Sequence, residues 1–317
     1  MEILSEIQKY IKLFEINQKA KNLSQNTIVA YARIFDLFYD YLAGEVENSQ
    51  LEKITDINNS FLANYLYLLK NDNMSDATRQ LHNTVLQQFF WFIADTELEK
   101  YGILKSKVTG VKIKVADKEV ESFTEADQSK IIGLINFLDK SNNFRDHRLS
   151  LILKLLLFHG IRIDELINLK WADIEEVYDE NEGYIFKFWY TGKGKKERDL
   201  DFPISFTEKN FEIIKKHITS EFVIPGSTGN KSFRNSIYGS VKAILAKQGI
   251  SNVWLHKFRH TFGQNKVNEE VNISTITELM GHATPAVTFK YYLRNNKKAK
   301  RKAILNGLPI NNDSKTK

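Results

Sequence analysis

The sequence predicts a mainly α-helical protein with one small β-sheet, arranged as two domains. Three observations carry this reading. Apolar side chains recur at helical spacing through the first 100 residues. Residues 184–191, YIFKFWYT, form an aromatic and β-branched run of strand character. Residues 105–119, KSKVTGVKIKVADKE, hold five lysines and no helical stripe, and so separate the two halves.

The first helix is read from Ile3, Ile7, Tyr10, Ile11 and Phe14. The second has Ser24 near its start and Gly44 beyond its end, with Ile28, Tyr31, Ile34, Phe35, Phe38 and Leu42 on one face. A third spans residues 60–70 with Phe61, Leu62, Tyr65, Leu66 and Leu69 inward. A fourth begins near Ser75 and carries Leu81, Val85, Leu86, Phe89 and Ile93. Four helices with short connections predict a small bundle over residues 1–110. A basic linker is expected at 111–120; a solvated charged loop reads equally well from that stretch alone.

A second domain is expected over 121–303. It opens at Thr124, where TEAD resembles a capping box with Asp in place of Glu. Leu149–Phe158 reads as a buried helix, His159–Gly160 as a break, and IRIDELINL as a resumed helix. After the YIFKFWYT strand, GKGKK is a turn and ERDLDFP a return strand. Helices resume from Thr207, and 304–317 reads as a polar tail.

Bulk properties narrow the function. The net charge is +6 and the pI about 9.1, which favours nucleic acid or an acidic surface without choosing between them. The absence of cysteine excludes disulfides, thiol nucleophiles and Cys-ligated zinc or iron–sulfur clusters. It fits a reducing cytosol, and a cytoplasmic location is expected. The N-terminus, MEILSEIQKY, is acidic and amphipathic, unlike a secretory signal. The Leu149–Phe158 stretch is interrupted by Lys154 and is too short to span a bilayer, so no membrane partner is expected.

Four segments carry candidate chemistry. In HKFRH, His256 and Arg259 are three apart and share a helix face. A guanidinium grips two phosphate oxygens and an imidazole can move a proton, although so short a motif also arises by chance on a basic helix. In FHGIRIDELINLKWADI, Arg162 opens a helix, where the N-terminus already favours anions. Glu165, one turn on, can orient Arg162 or a nearby histidine, or form only a surface ion pair. In YTGKGKKER, Gly192 and Gly194 allow a tight turn that projects lysines; it is either a solvated turn or a source of a general acid. In LMGHATPAVTFKYYL, His282 follows Gly281 at a helix end, Thr284 can cap the next helix with Pro285 at its first position, and Tyr291 and Tyr292 follow. Adjacent helical side chains diverge by about 100°, so both tyrosines cannot face one phosphate.

In this order and together, these segments resemble the tyrosine recombinase, or phage integrase, family over nearly the whole chain. GIRIDELINLKWADI is similar to the family's first-arginine box, TGKGKKER to its β-hairpin lysine, LHKFRHTF to its His-x-x-Arg box, and the last segment to its GH box. SQNTIVAYARIFDLFYDYL resembles the family's SAM-like core-DNA-binding domain. A tyrosine nine residues after the histidine selects Tyr291 over Tyr292. The first lysine of the turn selects Lys193 over Lys195 and Lys196. Phe258 and Gly263 stand where the family more often has Leu and Ala.

The resemblance implies a mixed α/β catalytic domain in which Tyr291 attacks the scissile phosphate and forms a 3′-phosphotyrosyl bond. Arg162 and Arg259 would hold the nonbridging oxygens, Lys193 protonate the 5′-hydroxyl, His256 assist proton transfer and His282 hydrogen-bond the phosphate. Glu165 would support them. It implies double-stranded DNA sites as partners, a homotetramer on DNA, a Holliday-junction intermediate, and no metal or other cofactor. The chain starts at the core-binding domain, so an additional arm-binding domain is not expected; this suggests a compact Xer-like or mobile-element recombinase. The basic run Arg294, Lys297, Lys298, Lys300, Arg301 and Lys302 is either a solvated tail or a segment that meets a neighbouring subunit and DNA. Competing readings are a type IB topoisomerase, a non-catalytic DNA-binding derivative, and a basic helical scaffold for RNA or protein. The hairpin lysine, the full set of six catalytic side chains and the lack of an RNA-binding motif argue against them in turn. No carboxylate or histidine cluster suggests a metal nuclease.

Overall fold

The computed structural model describes residues 2–48, 51–116, 121–191, 197–282 and 284–288. The chain divides into two compact units, Met1–Lys118 and Glu119–Lys317.

The first unit contains α1 (Glu2–Ala20), α2 (Gln25–Glu47), α3 (Asn59–Asn71), α4 (Asp76–Thr96) and the single turns α5 (Leu98–Tyr101) and α6 (Leu104–Lys107). Short polar side chains start the longer helices. Ser24 accepts from the Thr27 N–H, Asn58 from the Ser60 and Phe61 N–H groups, and Ser75 from the Thr78 N–H. The inward stripes meet in an aromatic core in which Phe14 sets its ring edge-on to Phe35 and Phe89, at 5.7 and 5.6 Å between centroids.

Three expectations are corrected here. Gly44 lies inside α2, not beyond it. An exposed helix interior tolerates glycine at about 1 kcal/mol, and the helix runs on through Glu45, Val46 and Glu47. Leu81 is exposed, because α4 turns its inner face through His82, Val85 and Leu86. The lysine-rich stretch is not free along its first half. Leu104–Lys107 is a helical turn and Val108 is fully buried. Side chains of α4 then stitch down the backbone that follows. Trp91 donates to the Val108 carbonyl, Gln87 to that of Thr109, and Asn83 pairs with both backbone groups of Val111.

The second unit runs α7 (Glu125–Leu138), α8 (Phe144–His159), α9 (Ile163–Asn168), β1 (Ile174–Asp179), β2 (Gly183–Thr191), β3 (Glu197–Pro203), α10 (Ile204–His217), α11 (Arg234–Lys247), α12 (Leu255–Asn268), α13 (Ile273–Met280) and α14 (Pro285–Thr288). The strands form an antiparallel sheet in the order β1-β2-β3, with Ile174 opposite Phe188 and Phe186 opposite Phe202. Its inner face packs Phe188 and Phe202 near Phe211 of α10. Sequence reading missed β1, whose Glu175, Glu176 and Asp179 obscure a strand pattern on this edge strand.

Helix α8 is the axis of this unit and is buried on nearly every side from Leu151 to Leu157. Lys154 lies within that run. Its ammonium is paired with Asp139 at 2.8 Å and with the Asn210 amide oxygen at 2.9 Å, which offsets the cost of burying a charge. Helix α12 packs across α8 and so carries its polar residues to the point where α8 ends.

Candidate active site

The site begins at the break between α8 and α9. Gly160 closes α8 in the left-handed region at φ +56. A Cβ there would also lie 2.6 Å from the Phe262 ring, so the position excludes side chains on both grounds. The chain leaves this turn extended at Arg162, which precedes the first turn of α9. Glu165 closes that turn twice: one carboxylate oxygen accepts the Arg162 backbone N–H at 2.9 Å and the other accepts Nη1 at 2.7 Å. Of the two partners open to Glu165 in the sequence, its carboxylate therefore takes Arg162.

Arg259 approaches from α12 and is almost fully buried, at 4% exposure. Its Nη1 donates to the Gly160 carbonyl at 2.7 Å and its Nη2 to the Met280 carbonyl. Arg162 Nη2 donates to the same Met280 carbonyl at 3.2 Å and to that of Gly281 at 2.8 Å. Both guanidinium groups thus converge on the C-terminal end of α13. There the last carbonyls of a helix are unsatisfied and carry partial negative charge. Gly281 ends α13 with φ +54, the left-handed conformation that turns its carbonyl out of the helix.

His256 lies one turn before Arg259 on α12. Burial lowers its pKa below the usual histidine value, and the positive fields of Arg259, Arg234 and Arg162 add to the effect. The imidazole is therefore neutral at neutral pH and able to take up a proton. His260, whose ring centroid is 5.8 Å from that of His256, is pushed down to about 4 by burial and then by His256 and Arg259. His282 directly follows Gly281. Its backbone N–H bonds the Thr277 carbonyl at 3.0 Å, and its Nδ1 lies 2.8 Å from the Thr288 hydroxyl.

The fold thus joins Arg162, Glu165 and Arg259 in one hydrogen-bonded group at the end of α13, adjoins His282 to it, and sets His256 within the field of both arginines. Lys193 and Tyr291, with Lys195, Lys196, Tyr292 and the basic run from Arg294 to Lys302, lie outside the described residues. Sequence reasoning missed Arg234, which opens α11, acts on His256 and lies 3.9 Å from Asp164. It also missed the carbonyls of Gly160 and Met280. A backbone acceptor leaves no trace in residue identity; only the glycines beside them hint at it. Among the described residues no cluster of three or more His, Asp or Glu side chains could hold a metal ion. No helix among them is long and apolar enough to cross a membrane.

This arrangement can grip a tetrahedral anion between two guanidinium groups, with one neutral imidazole to move a proton and a second to bind an oxygen. Residues 123–299 match the Phage integrase family, and residues 11–97 match its N-terminal SAM-like domain. The chain is 27% identical over 298 residues to tyrosine recombinase XerC of Staphylococcus aureus, covering 91% of this chain and 92% of the relative. The fold is that of XerH recombinase in its post-cleavage complex with palindromic difH DNA, with a TM-score of 0.72 and 22% identity over 95% of this chain and 84% of the other. It is also that of lambda integrase in a tetramer bound to a Holliday junction, with a TM-score of 0.64 and 14% identity over 90% of this chain and 76% of the other.

Proposed function

The chain belongs to the phage integrase family, and on that premise we propose that it is a tyrosine site-specific recombinase whose active site is the group assembled at the end of α13. The observation that carries this is the convergence of Arg162 and Arg259 on one carbonyl. Two cationic forks held side by side suit the two nonbridging oxygens of a phosphodiester, and they would gain strength as charge grows on those oxygens in the transition state.

In this reading the Tyr291 hydroxyl attacks the scissile phosphorus, and the bond to the 5′-oxygen breaks. A phenol with a pKa near 10 is a weak nucleophile at neutral pH, so its proton must leave as the bond forms, and neutral His256 is the acceptor. Lys193 supplies the proton that the departing 5′-oxygen takes up. His282 bonds a nonbridging oxygen, and Glu165 keeps the Arg162 fork in orientation. The 3′-phosphotyrosyl ester retains the energy of the phosphodiester, so religation requires no nucleotide cofactor. Attack by the 5′-hydroxyl of a partner strand then gives a Holliday junction.

The partners in this proposal are double-stranded DNA sites and further copies of the chain, assembled as a tetramer and acting in the cytoplasm. The lambda integrase tetramer bound to a Holliday junction, whose fold this chain shares, supports that assembly. The process served is chromosome-dimer resolution or the integration and excision of a mobile element. The domain division proposed is a core-binding domain at 1–110, a linker at 111–120, a catalytic domain at 121–303 and a tail at 304–317. Two duplexes with differently labelled arms, incubated with the protein without metal or ATP, test the function. Exchange of arms supports a recombinase. Relaxation of supercoils without exchange would make it a topoisomerase, and binding without strand cleavage a DNA-binding derivative.

A further inference from the structure

His159 ends α8 immediately before the turn that carries the arginines. The next residue, Gly160, gives its carbonyl to Arg259, and Arg162 stands at the start of α9. The His159 ring itself packs on Phe202 of β3, with 3.6 Å between centroids, and the Asp201 main chain lies within hydrogen-bonding reach of it. Phe202 is buried and meets Phe188 of β2 edge-on at 4.5 Å. A leucine would fill such apolar surroundings without a polar atom. The imidazole instead leaves its buried Nδ1 with no hydrogen bond of ordinary geometry among the described residues. An orphan nitrogen of this kind destabilises a fold, so core filling alone does not account for the residue.

The strand that His159 touches belongs to a ribbon that lacks support further on. β1 pairs with β2 only as far as Phe188, which stands opposite Ile174. Beyond it, among the described residues, Trp189, Tyr190 and Thr191 pair with Asp199, Arg198 and Glu197 alone. A two-stranded ribbon is marginally stable by itself and twists readily. Its direction is therefore set where its root is packed, at Phe188 and Phe202, about 10 Å of strand before Thr191. There the His159 ring joins the ribbon to the turn that positions both arginines. Helix α13, whose last carbonyls receive both guanidinium groups, also packs against β3.

We propose that His159 is a positioning residue, held between the end of α8 and Phe202, that sets the direction of the β2–β3 ribbon relative to the arginine group. Its consequence rests on the recombinase reading: Lys193 follows two residues after β2 ends, so a misdirected ribbon impairs proton delivery to the 5′-oxygen while the arginines still hold the phosphate. The packing of the ribbon itself is a property of the free protein.

Two measurements on the full chain test this. Single-turnover cleavage of a nicked duplex by His159→Ala is expected to slow about tenfold, part of the roughly 10²–10⁴ that a general acid contributes. On a duplex with a bridging 5′-phosphorothiolate, whose leaving group needs no proton, the same variant should cleave at close to the wild-type rate. Lys193→Ala run alongside should show the same relief, and Arg259→Lys should be slow on both substrates. A general loss of structure would slow His159→Ala equally on both, and that result would overturn the proposal, as would wild-type cleavage of ordinary DNA. Amide hydrogen exchange read by mass spectrometry gives the second measurement. His159→Ala should speed exchange in peptides from β2 and β3 and leave α1 to α4 unchanged; unchanged exchange in β2 and β3 would overturn the proposal. His159→Leu, which keeps bulk in place of the ring, serves in both measurements if His159→Ala does not fold. If the wild type cleaves neither duplex, the recombinase reading loses its support, and if Lys193→Ala gains no relief, the general acid does; in both cases the exchange measurement still decides whether His159 holds the ribbon.

Discussion

Arg162 and Arg259, far apart in sequence and on different helices, donate to the same atom, the carbonyl oxygen of Met280. The two like charges are held together by acceptors that cannot move away: the carbonyls of Gly160, Met280 and Gly281, and the Glu165 carboxylate. In the recombinase reading proposed above, this backing orients each fork before DNA arrives and leaves little reorganisation for the transition state.

Lysine at either position keeps the charge but cannot make two parallel bonds. Arg162→Lys and Arg259→Lys are each expected to lower single-turnover cleavage by about 10²–10³, the usual cost of losing an oriented transition-state donor. DNA affinity, measured by fluorescence anisotropy, should change little. Arg259→Lys should also lower the melting temperature more than Arg162→Lys, because Arg259 is the more deeply buried and serves the Gly160 carbonyl. Equal cleavage by wild type and both variants would remove the arginines from the chemistry.

Gly160→Ala should destabilise the catalytic unit by roughly 2–4 kcal/mol, combining left-handed backbone strain with overpacking against Phe262. Adding Phe262→Leu should restore part of the loss by relieving the crowding, and leave the part due to φ. Urea unfolding of the single and double variants measures both terms. An unchanged midpoint for Gly160→Ala would contradict the described turn.

Stability should fall in acid before most carboxylates titrate. Burial pushes His159 from the ordinary 6.5 down to about 3, and His260 down to about 4. Below pH 6.5 the unfolded chain takes up protons that these folded imidazoles refuse, so the stabilisation present above that pH is lost progressively as pH falls toward the folded values. His159→Leu should flatten this acid limb in urea midpoints taken from pH 7 to pH 4. An unaltered slope would mean that His159 is protonated while folded.

Much of the architecture and of the site is legible in the sequence, and the gaps have physical causes. Periodicity finds α1 to α4 because each buries one stripe, with side-chain caps at Ser24 and Ser75. It misplaces the end of α2 because Gly44 faces open space, where glycine costs too little to stop a helix. It misses β1, an edge strand with an acidic face. Arg162, Glu165, His256, Arg259 and His282 can be singled out because their chemistry is written in residue type. The Met280 carbonyl that joins the arginines, and the Thr288 hydroxyl beside His282, cannot, because they depend on how α13 ends.

Lys193→Ala should cleave ordinary DNA slowly, and cleave a duplex with a bridging 5′-phosphorothiolate at close to the wild-type rate. A thiolate leaves without a proton, so the general acid becomes dispensable. An equal deficit on both substrates would assign the lysine another role.

The most direct test of the account is to trap and map the covalent intermediate. Nicked duplexes drawn from the DNA flanking the gene and from the replication terminus would be incubated with the protein in chelator. Loss of the short fragment leaves the enzyme attached to DNA, and mass spectrometry identifies the modified peptide. The account predicts a 3′-phosphotyrosyl bond at Tyr291, retained in Tyr292→Phe and absent in Tyr291→Phe. An adduct on any other residue, or adduct formation by Tyr291→Phe, would contradict it.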